Sequence, residues 1–148
     1  MNIKVKRMSE EAKLPTRGSE KAAAYDVYAC LPDKNALVTI MPHQTMLIGT
    51  GLRMAPPEGF YVGVYARSGL SSKEGLRPAN CVGVIDEDYR GEYLVAVHND
   101  SEVTRFVKHG DRIAQILLQK RYDMDFEEVD ELDKTERGDG GFGSTGKQ

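Results

Sequence analysis

Several short polar segments of this sequence carry residue types that could do chemistry, and the most acidic lies at residues 86–91, Asp-Glu-Asp-Tyr-Arg-Gly. The spacing Asp86-x-Asp88 followed by Gly91 is that of the start of a calcium loop, in which carboxylates alternate along the chain. An arginine stands where such a loop needs an oxygen ligand, and Val97 stands where it needs its closing Glu. The segment is therefore not a calcium loop, and taken alone it is typical of a hairpin turn.

The glycine-rich residues 137–148 contain two formal nucleotide motifs. Gly141-x-Gly143-x-x-Gly146 matches the dinucleotide fingerprint, and residues 141–147 match the first seven positions of a P-loop. Both motifs need a strand before them and a helix after them to hold phosphate, and neither element is predicted here. Gln148 also replaces the Ser or Thr that would bind magnesium. Alone, the segment is typical of a disordered end.

Other isolated candidates are equally weak when taken singly. Arg67-Ser68-Gly69 follows a predicted strand and is typical of a turn, and Ser68 lacks the flanking glycines of a nucleophile elbow. Gln115 is typical of the polar face of a strand. The three histidines are isolated from one another in the sequence, so no metal site is predicted from them.

The elements that must position these residues are short strands. Alternating apolar and polar runs, separated by Gly, Pro, Asn or Asp, occupy residues 3–7, 25–30, 37–40, 45–48, 60–66, 81–85, 93–98 and 103–107. Residues 111–120 fit a helical spacing and a buried strand equally, but their place after the turn at 108–110 favours a strand. The sequence predicts an all-β sandwich or barrel.

Composition limits the function classes. The 148 residues suffice for one domain, 40% of them are hydrophobic, and the net charge of −3 argues against a general nucleic-acid binder. No run approaches the roughly 20 apolar residues of a membrane span. Two cysteines without CxxC spacing are typical of a reducing compartment, so we expect a cytoplasmic protein with neither nucleic-acid nor membrane partners.

Taken together and in order, five segments resemble those of the trimeric dUTPase family over essentially the whole chain. They are residues 23–27 (Ala-Ala-Tyr-Asp-Val), 66–70 (Ala-Arg-Ser-Gly-Leu), 80–92, 110–115 (Gly-Asp-Arg-Ile-Ala-Gln) and 137–146. The third and fifth are long and specific. Ala24 and Ala66 depart from the usual Gly and Pro, which leaves local backbone detail open but removes no reacting group.

The resemblance implies a jelly-roll-like β-barrel over residues 1–136, followed by a flexible glycine-rich lid at 137–148. It implies a homotrimer whose active sites are shared between subunits. The implied reaction is hydrolysis of dUTP to dUMP and pyrophosphate with Mg²⁺, which limits uracil incorporation into DNA and supplies dUMP for thymidylate synthesis.

The resemblance also implies roles for individual residues. Backbone groups in the hairpin that contains Asn80, Gly83 and Ile85 would bind uracil, and Tyr89 would lie beneath the deoxyribose. Asp86 would orient and deprotonate the attacking water. The residues expected to contact the phosphates or close over the nucleotide are Arg67, Ser68, Gly69, Gln115, Arg137, Phe142, Gly143, Ser144 and Thr145, with Phe142 stacked on uracil. Magnesium would be held mainly by phosphates, with Asp26 contributing indirectly at most.

Two alternatives stay open. A dCTP deaminase shares the implied fold and would release ammonia from dCTP. A non-catalytic module could use nucleotide binding to switch a protein partner, although the retained Asp86 and the complete glycine-rich segment favour catalysis.

Overall fold

Short strands make up most of the ordered backbone in a computed structural model that describes residues 1–80 and 82–141. Within these residues there are eleven strands and one helix. They are β1 Lys4–Arg7, β2 Tyr25–Tyr28, β3 Leu37–Ile40, β4 Thr45–Gly49, β5 Leu52–Ala55, β6 Phe60–Tyr65, α1 Ser68–Glu74, β7 Leu76–Pro78, β8 Val82–Ile85, β9 Leu94–Asn99, β10 Arg105–Lys108 and β11 Arg112–Lys120.

The strands form four antiparallel sheets. The largest has the order β2-β11-β6-β8, and a three-stranded sheet has the order β4-β9-β7. Two further pairs join β1 to β5 and β3 to β10. The nine-residue strand β11 lies between β2 and β6 and pairs with both, which makes it the central support of the largest sheet.

The two larger sheets share one hydrophobic core. Alternate residues of β9 face inward, as the pleat predicts, and its inward side chains meet those of the four-stranded sheet. Val62, Val64 and Ile116 of the four-stranded sheet belong to the same buried cluster as Ile48, Val95 and Val97 of the three-stranded sheet. The all-β class predicted from the sequence is confirmed.

The ambiguous residues 111–120 form the strand β11, as their position after a turn predicted. The helix α1 was not predicted, because it buries none of its seven residues and therefore shows no apolar periodicity. It ends at Gly75, whose φ of 70° supplies the left-handed cap that stops a helix. Strands β5 and β7 were also missed, and each has only three or four residues.

Beyond β11 the chain leaves the sheets. Residues 121–139 are exposed to solvent. In the described ranges no helix is both long and apolar enough to cross a membrane. Cys81, which the sequence placed in a strand, lies outside the described residues, and β8 is described from Val82.

Candidate active site

A cavity of about 270 Å³ lies between strand β8 and the three-stranded sheet. Asn80, Gly83, Ile85, Asp86 and Tyr89 all line it, together with apolar side chains of β9. Because β8 is the edge strand of the described sheet, half of its backbone N–H and C=O groups point away from its neighbour β6. The cavity therefore combines an apolar wall with main-chain donors and acceptors that are not used in pairing with β6.

Gly83 lines this cavity and packs closely against Asn80 and Val64. A Cβ atom added there would lie 3.0 Å from Asn80 Nδ2 and 3.1 Å from Val64 Cβ. Both distances are tighter than ordinary van der Waals contact, so a side chain would push on Asn80 and fill the space beside the strand. Glycine is favoured here by close approach and not by an unusual backbone conformation, since this residue pairs regularly with Val64 in the sheet.

Asp86 is the first residue after β8 and is exposed at the rim of the cavity. Its carbonyl accepts a 3.2 Å hydrogen bond from the N–H of Tyr89, which closes the turn. The Tyr89 hydroxyl donates to the carbonyl of Glu92 at 3.1 Å, and the ring covers Gly91 so closely that a Cβ there would collide with it. The turn thus presents the exposed carboxylate of Asp86 to the cavity, beside the exposed ring of Tyr89.

A second cavity, of about 750 Å³, contains a different kind of chemistry. Asp26 is 9% exposed, and its two carboxylate oxygens accept from two arginines. Arg67 Nε donates to Oδ1 at 2.8 Å, and Arg112 Nη1 donates to Oδ2 at 3.1 Å. This buried carboxylate holds both guanidinium groups at the cavity wall, where their remaining N–H donors suit an anion.

A β-bulge brings Arg112 into this cavity. Alternation along a strand would put positions 112 and 115 on opposite faces, but the pairing of β11 with β2 shifts register between Arg112 and Ala114. As a result, both Arg112 and Gln115 line the same cavity as Asp26. Gln115 Nε2 donates to the carbonyl of Ala66 at 2.7 Å, which fastens the segment that carries Arg67.

Ser68 and Gly69 complete the second cavity. They form the first turn of α1, directly after Arg67, and both are exposed to solvent. The structure thus brings together four of the residues predicted from the sequence to contact phosphate: Arg67, Ser68, Gly69 and Gln115.

The two cavities share no lining residue among those that the structure describes, although both reach strand β6 of the four-stranded sheet, at Val64 and at Tyr65. One register row crosses that sheet from Asp26 on β2 through Gln115 and Tyr65 to Val82 on β8. Three inter-strand steps of about 4.8 Å each separate the outer strands by roughly 14 Å. A single chain therefore places Asp86 and the Asp26–arginine cluster in different cavities.

Arg137 lies outside both cavities. It is exposed, and its Nε donates to the carbonyl of Gly140 at 2.8 Å. Phe142, Gly143, Ser144 and Thr145, which the sequence assigned to the lid, lie outside the described residues. The described ranges assemble no group of three or more His, Cys, Asp or Glu side chains able to hold a metal ion.

Residues 10–146 match the family model for dUTPase, which covers nearly the whole chain and both cavities. The chain belongs to the dUTPase family.

Relatives within the dUTPase family come from distant organisms. The deoxyuridine 5'-triphosphate nucleotidohydrolase of Arabidopsis thaliana is 46% identical over 97% of this chain and 82% of its own length. The enzyme of the same name from Candida albicans is 45% identical over 99% of this chain and 89% of its own length. That of Corynebacterium glutamicum is 44% identical over 98% of this chain and 95% of its own length.

Solved structures show the same fold. The Staphylococcus bacteriophage 80alpha dUTPase with dUPNHPP superimposes with a TM-score of 0.86 at 26% identity, covering 98% of each chain. The jelly-roll-like architecture expected of a dUTPase is therefore present in this chain.

Arg112 lines the second cavity of this dUTPase-family chain, but the sequence analysis assigned it no role. Arg112 lies in the segment 110–115 that resembles the family, but strand alternation puts it on the opposite face from Gln115. Only the bulge in β11 reverses that assignment. A signal was present in the unequal apolar spacing of the strand, where Ile113 and Ala114 are both buried.

Proposed function

We propose that this protein hydrolyses dUTP to dUMP and pyrophosphate in three sites shared by a homotrimer. The observation that carries the proposal is the position of Asp86, an exposed carboxylate at the rim of a cavity whose wall includes an edge strand with a closely packed glycine. Membership of the dUTPase family supports the same reaction.

The cavity beside β8 suits a uracil base. The main-chain groups around Gly83 and Ile85 have a fixed donor and acceptor identity, so they can pair with the uracil edge but not with that of cytosine. A buried group left without its partner costs about 1–3 kcal/mol, and recognition of this kind discriminates strongly. Asn80 is held against Gly83, and Tyr89 offers its ring to the deoxyribose.

Asp86 acts as the general base. It accepts a proton from a water molecule, and the water oxygen bonds to the α-phosphorus while the bond from that phosphorus to the bridging oxygen breaks. Pyrophosphate leaves with the electron pair of that bond. A positioned base typically contributes about 10²–10⁴ in rate. Exposure of Asp86 at the rim gives water direct access to it.

The phosphates are bound by the second cavity, with Arg67 and Arg112 held by Asp26 and with Ser68, Gly69 and Gln115 beside them. Asp86 and the Asp26–arginine cluster line different cavities of one chain, so we infer that the phosphate cavity of one copy faces the base cavity of another. The resemblance to trimeric dUTPases supports the same arrangement.

Magnesium fits this arrangement as an ion carried by the substrate. Both oxygens of Asp26 already accept guanidinium hydrogen bonds, so direct coordination by this carboxylate would break an existing pair. Mg²⁺ commonly keeps several waters and binds substrate phosphates with few protein ligands. When bound it would neutralise charge on the triphosphate.

Residues 137–148 form the lid in this proposal. Arg137 offers a planar donor to phosphate, Gly143 lets the backbone approach it, and Ser144 and Thr145 add hydroxyl donors. Phe142 stacks on the uracil ring, a type of contact worth about 1–3 kcal/mol in single-strand binding. The cell would gain a lower dUTP level and a source of dUMP, and the predicted location is cytoplasmic.

Pyrophosphate release from dUTP, dCTP, dTTP and UTP, with and without Mg²⁺, tests the proposal. We expect release from dUTP alone, dependent on Mg²⁺, and a trimer by sedimentation. A chain that ends at Glu136 should stay trimeric and lose most activity. Ammonia release from dCTP would instead identify a deaminase, and nucleotide binding without turnover would identify a switch module.

A further inference from the structure

Two glutamates attach the catalytic turn to the rest of the molecule just where strand pairing stops. The last paired residues of β6 and β8 are Val62 and Ile85, so Asp86 has no partner in the ladder. Beyond the last ladder pair, the carboxylate of Glu87 joins the turn to Gly59 by accepting a 2.8 Å hydrogen bond from its N–H. The Glu87 side chain is 29% exposed, which places this bond partly out of water.

The partner of Glu87 is itself fixed. Gly59 has a φ of 77°, a conformation that favours glycine, and it lies directly before β6. Its carbonyl accepts a 2.8 Å bond from the N–H of Arg121 at the end of β11. Because both backbone groups of this glycine are engaged, it is a rigid anchor for the glutamate.

Glu92 makes the same kind of contact on the opposite side of the turn. Strand β9 begins at Leu94, which pairs with Gly49, and two residues earlier Glu92 Oε1 accepts a 2.8 Å bond from the N–H of Gly51. Gly51 has a φ of 67°, so this partner too is a left-handed glycine. A Cβ at Gly49 would collide with the Glu92 carboxylate, which shows how tightly that side chain is seated.

We propose that Glu87 and Glu92 are positioning residues that hold the turn carrying Asp86 and Tyr89. The inference rests on the proposed function, since it assigns the turn its reacting carboxylate. A displacement of about 1 Å at a reacting group can reduce turnover about 10²-fold. Each glycine N–H needs an acceptor of the correct reach, so side-chain length matters. The charge of Glu87 matters less, because its ion pair with Arg121 is long, at 3.8 Å, and Arg121 is exposed.

Two variants of Glu87, one that changes only the charge and one that changes only the side-chain length, separate these two properties. Glu87→Gln keeps an oxygen at the same distance and removes the charge, whereas Glu87→Asp keeps the charge and is one methylene too short. We expect Glu87→Asp to lower kcat about tenfold with KM changed less than about threefold, and Glu87→Gln to stay within about twofold of the wild type. Glu92→Asp and Glu92→Gln should show the same order of effects.

Glu58→Asp and Glu58→Gln are the matched controls, because Glu58 is an exposed carboxylate beside Gly59. Both should retain wild-type kcat. Equal kcat in Glu87→Asp and the wild type would overturn the inference, and so would a Glu87→Gln variant as slow as Glu87→Asp, because charge would then be the property that matters.

Amide hydrogen exchange keeps this test separate from the proposed function. Glu87→Asp should speed exchange at the Gly59 amide, and Glu92→Asp should do so at Gly51, whereas the Gln variants should protect both as in the wild type. Unchanged exchange in the Asp variants would refute the attachment whatever the enzyme hydrolyses. A wild type inactive on dUTP, with the expected exchange pattern, would refute the proposed function alone.

Discussion

The two cavities are built in opposite ways. The cavity beside β8 is lined mainly by residues between Asn80 and Ala96, a local stretch of chain in which a strand, a turn and the next strand follow each other. The cavity around Asp26 depends on residues 41 and 86 positions away in the sequence, Arg67 and Arg112. The first offers neutral backbone groups with fixed identity, and the second offers charge held by a buried carboxylate.

This difference matches two tasks in the proposed reaction. Distinguishing one base from another needs donors and acceptors that cannot change places, which edge-strand backbone supplies. Binding a triphosphate needs positive charge in a fixed orientation, which an Asp with two arginine partners supplies. If base recognition and phosphate binding are divided between the two cavities, a substitution that damages one cavity should leave the function of the other unchanged.

The largest effect is expected at Asp86. Asp86→Asn removes the proton acceptor but keeps the shape of the side chain, so kcat should fall by about 10²–10⁴ while dUTP still binds. Turnover and equilibrium binding measured on the same preparation check this. Asp33→Asn, in an exposed loop, is the control and should be as active as the wild type. Near-normal turnover in Asp86→Asn would remove Asp86 from the mechanism.

The next effect is expected at Asp26. Asp26→Asn leaves two arginines without their charged partner, and breaking a partly buried pair of this kind should lower the free energy of unfolding by about 2–3 kcal/mol. KM for dUTP should rise, because Arg67 and Arg112 lose their fixed orientation. Denaturant unfolding and steady-state kinetics check both. The preference for dUTP over dCTP should not change, and a lost preference would contradict the division.

Gly83→Ala should damage the cavity beside β8 and leave the Asp26–arginine cluster intact. The added methyl presses on Asn80 and Val64, and overpacking of this size costs about 1–3 kcal/mol, here mainly in nucleotide affinity. KM for dUTP should rise about tenfold. Gly18→Ala, at an exposed glycine with open space around the added carbon, is the matched control and should keep the KM of the wild type. Equal affinity in Gly83→Ala and the wild type would show that β8 does not contact the base.

The smallest effect at neutral pH concerns Tyr93, a lining residue of the β8 cavity that is 2% exposed. Burial raises the pKa of its hydroxyl to about 12, while nearby Arg90 opposes the shift. An unfolded tyrosine ionises near pH 10, so above that pH the unfolded state binds fewer protons than the folded one. The free energy of unfolding should therefore fall between pH 10 and 12, by up to about 2–3 kcal/mol.

Tyr93→Phe should remove that decrease. Its hydroxyl makes no hydrogen bond with any residue in the described ranges, so the variant should be at least as stable as the wild type at pH 7. Thermal or denaturant unfolding across this pH range measures the difference. Tyr122→Phe, at an exposed position, should leave the alkaline decrease in place. Retention of the full decrease in Tyr93→Phe would assign it to another group.

Some parts of the fold were predictable because their cause is local. Alternating runs identified most strands, and the place of residues 111–120 after a turn correctly favoured β11 over a helix. Helix α1 was missed because no residue in it is buried, so the sequence contains no periodic signal for it. The roles assigned to individual site residues, including Asp86 and the lid residues 142–145, stay predictions.

The sequence by itself determined most of the strand pattern and the five family segments, because each depends on neighbouring residues. The hairpin expected from residues 80–92 was wrong, because β8 pairs with β6 whereas β9 pairs with β4 and β7 in another sheet. Only the tertiary structure decided that Asp26 binds both Arg67 and Arg112, that a bulge brings Arg112 beside Gln115, and that Glu87 and Glu92 bind distant glycines. These contacts join residues far apart in the chain, and their partners are set by the order and register of strands, which alternation along a single strand does not specify.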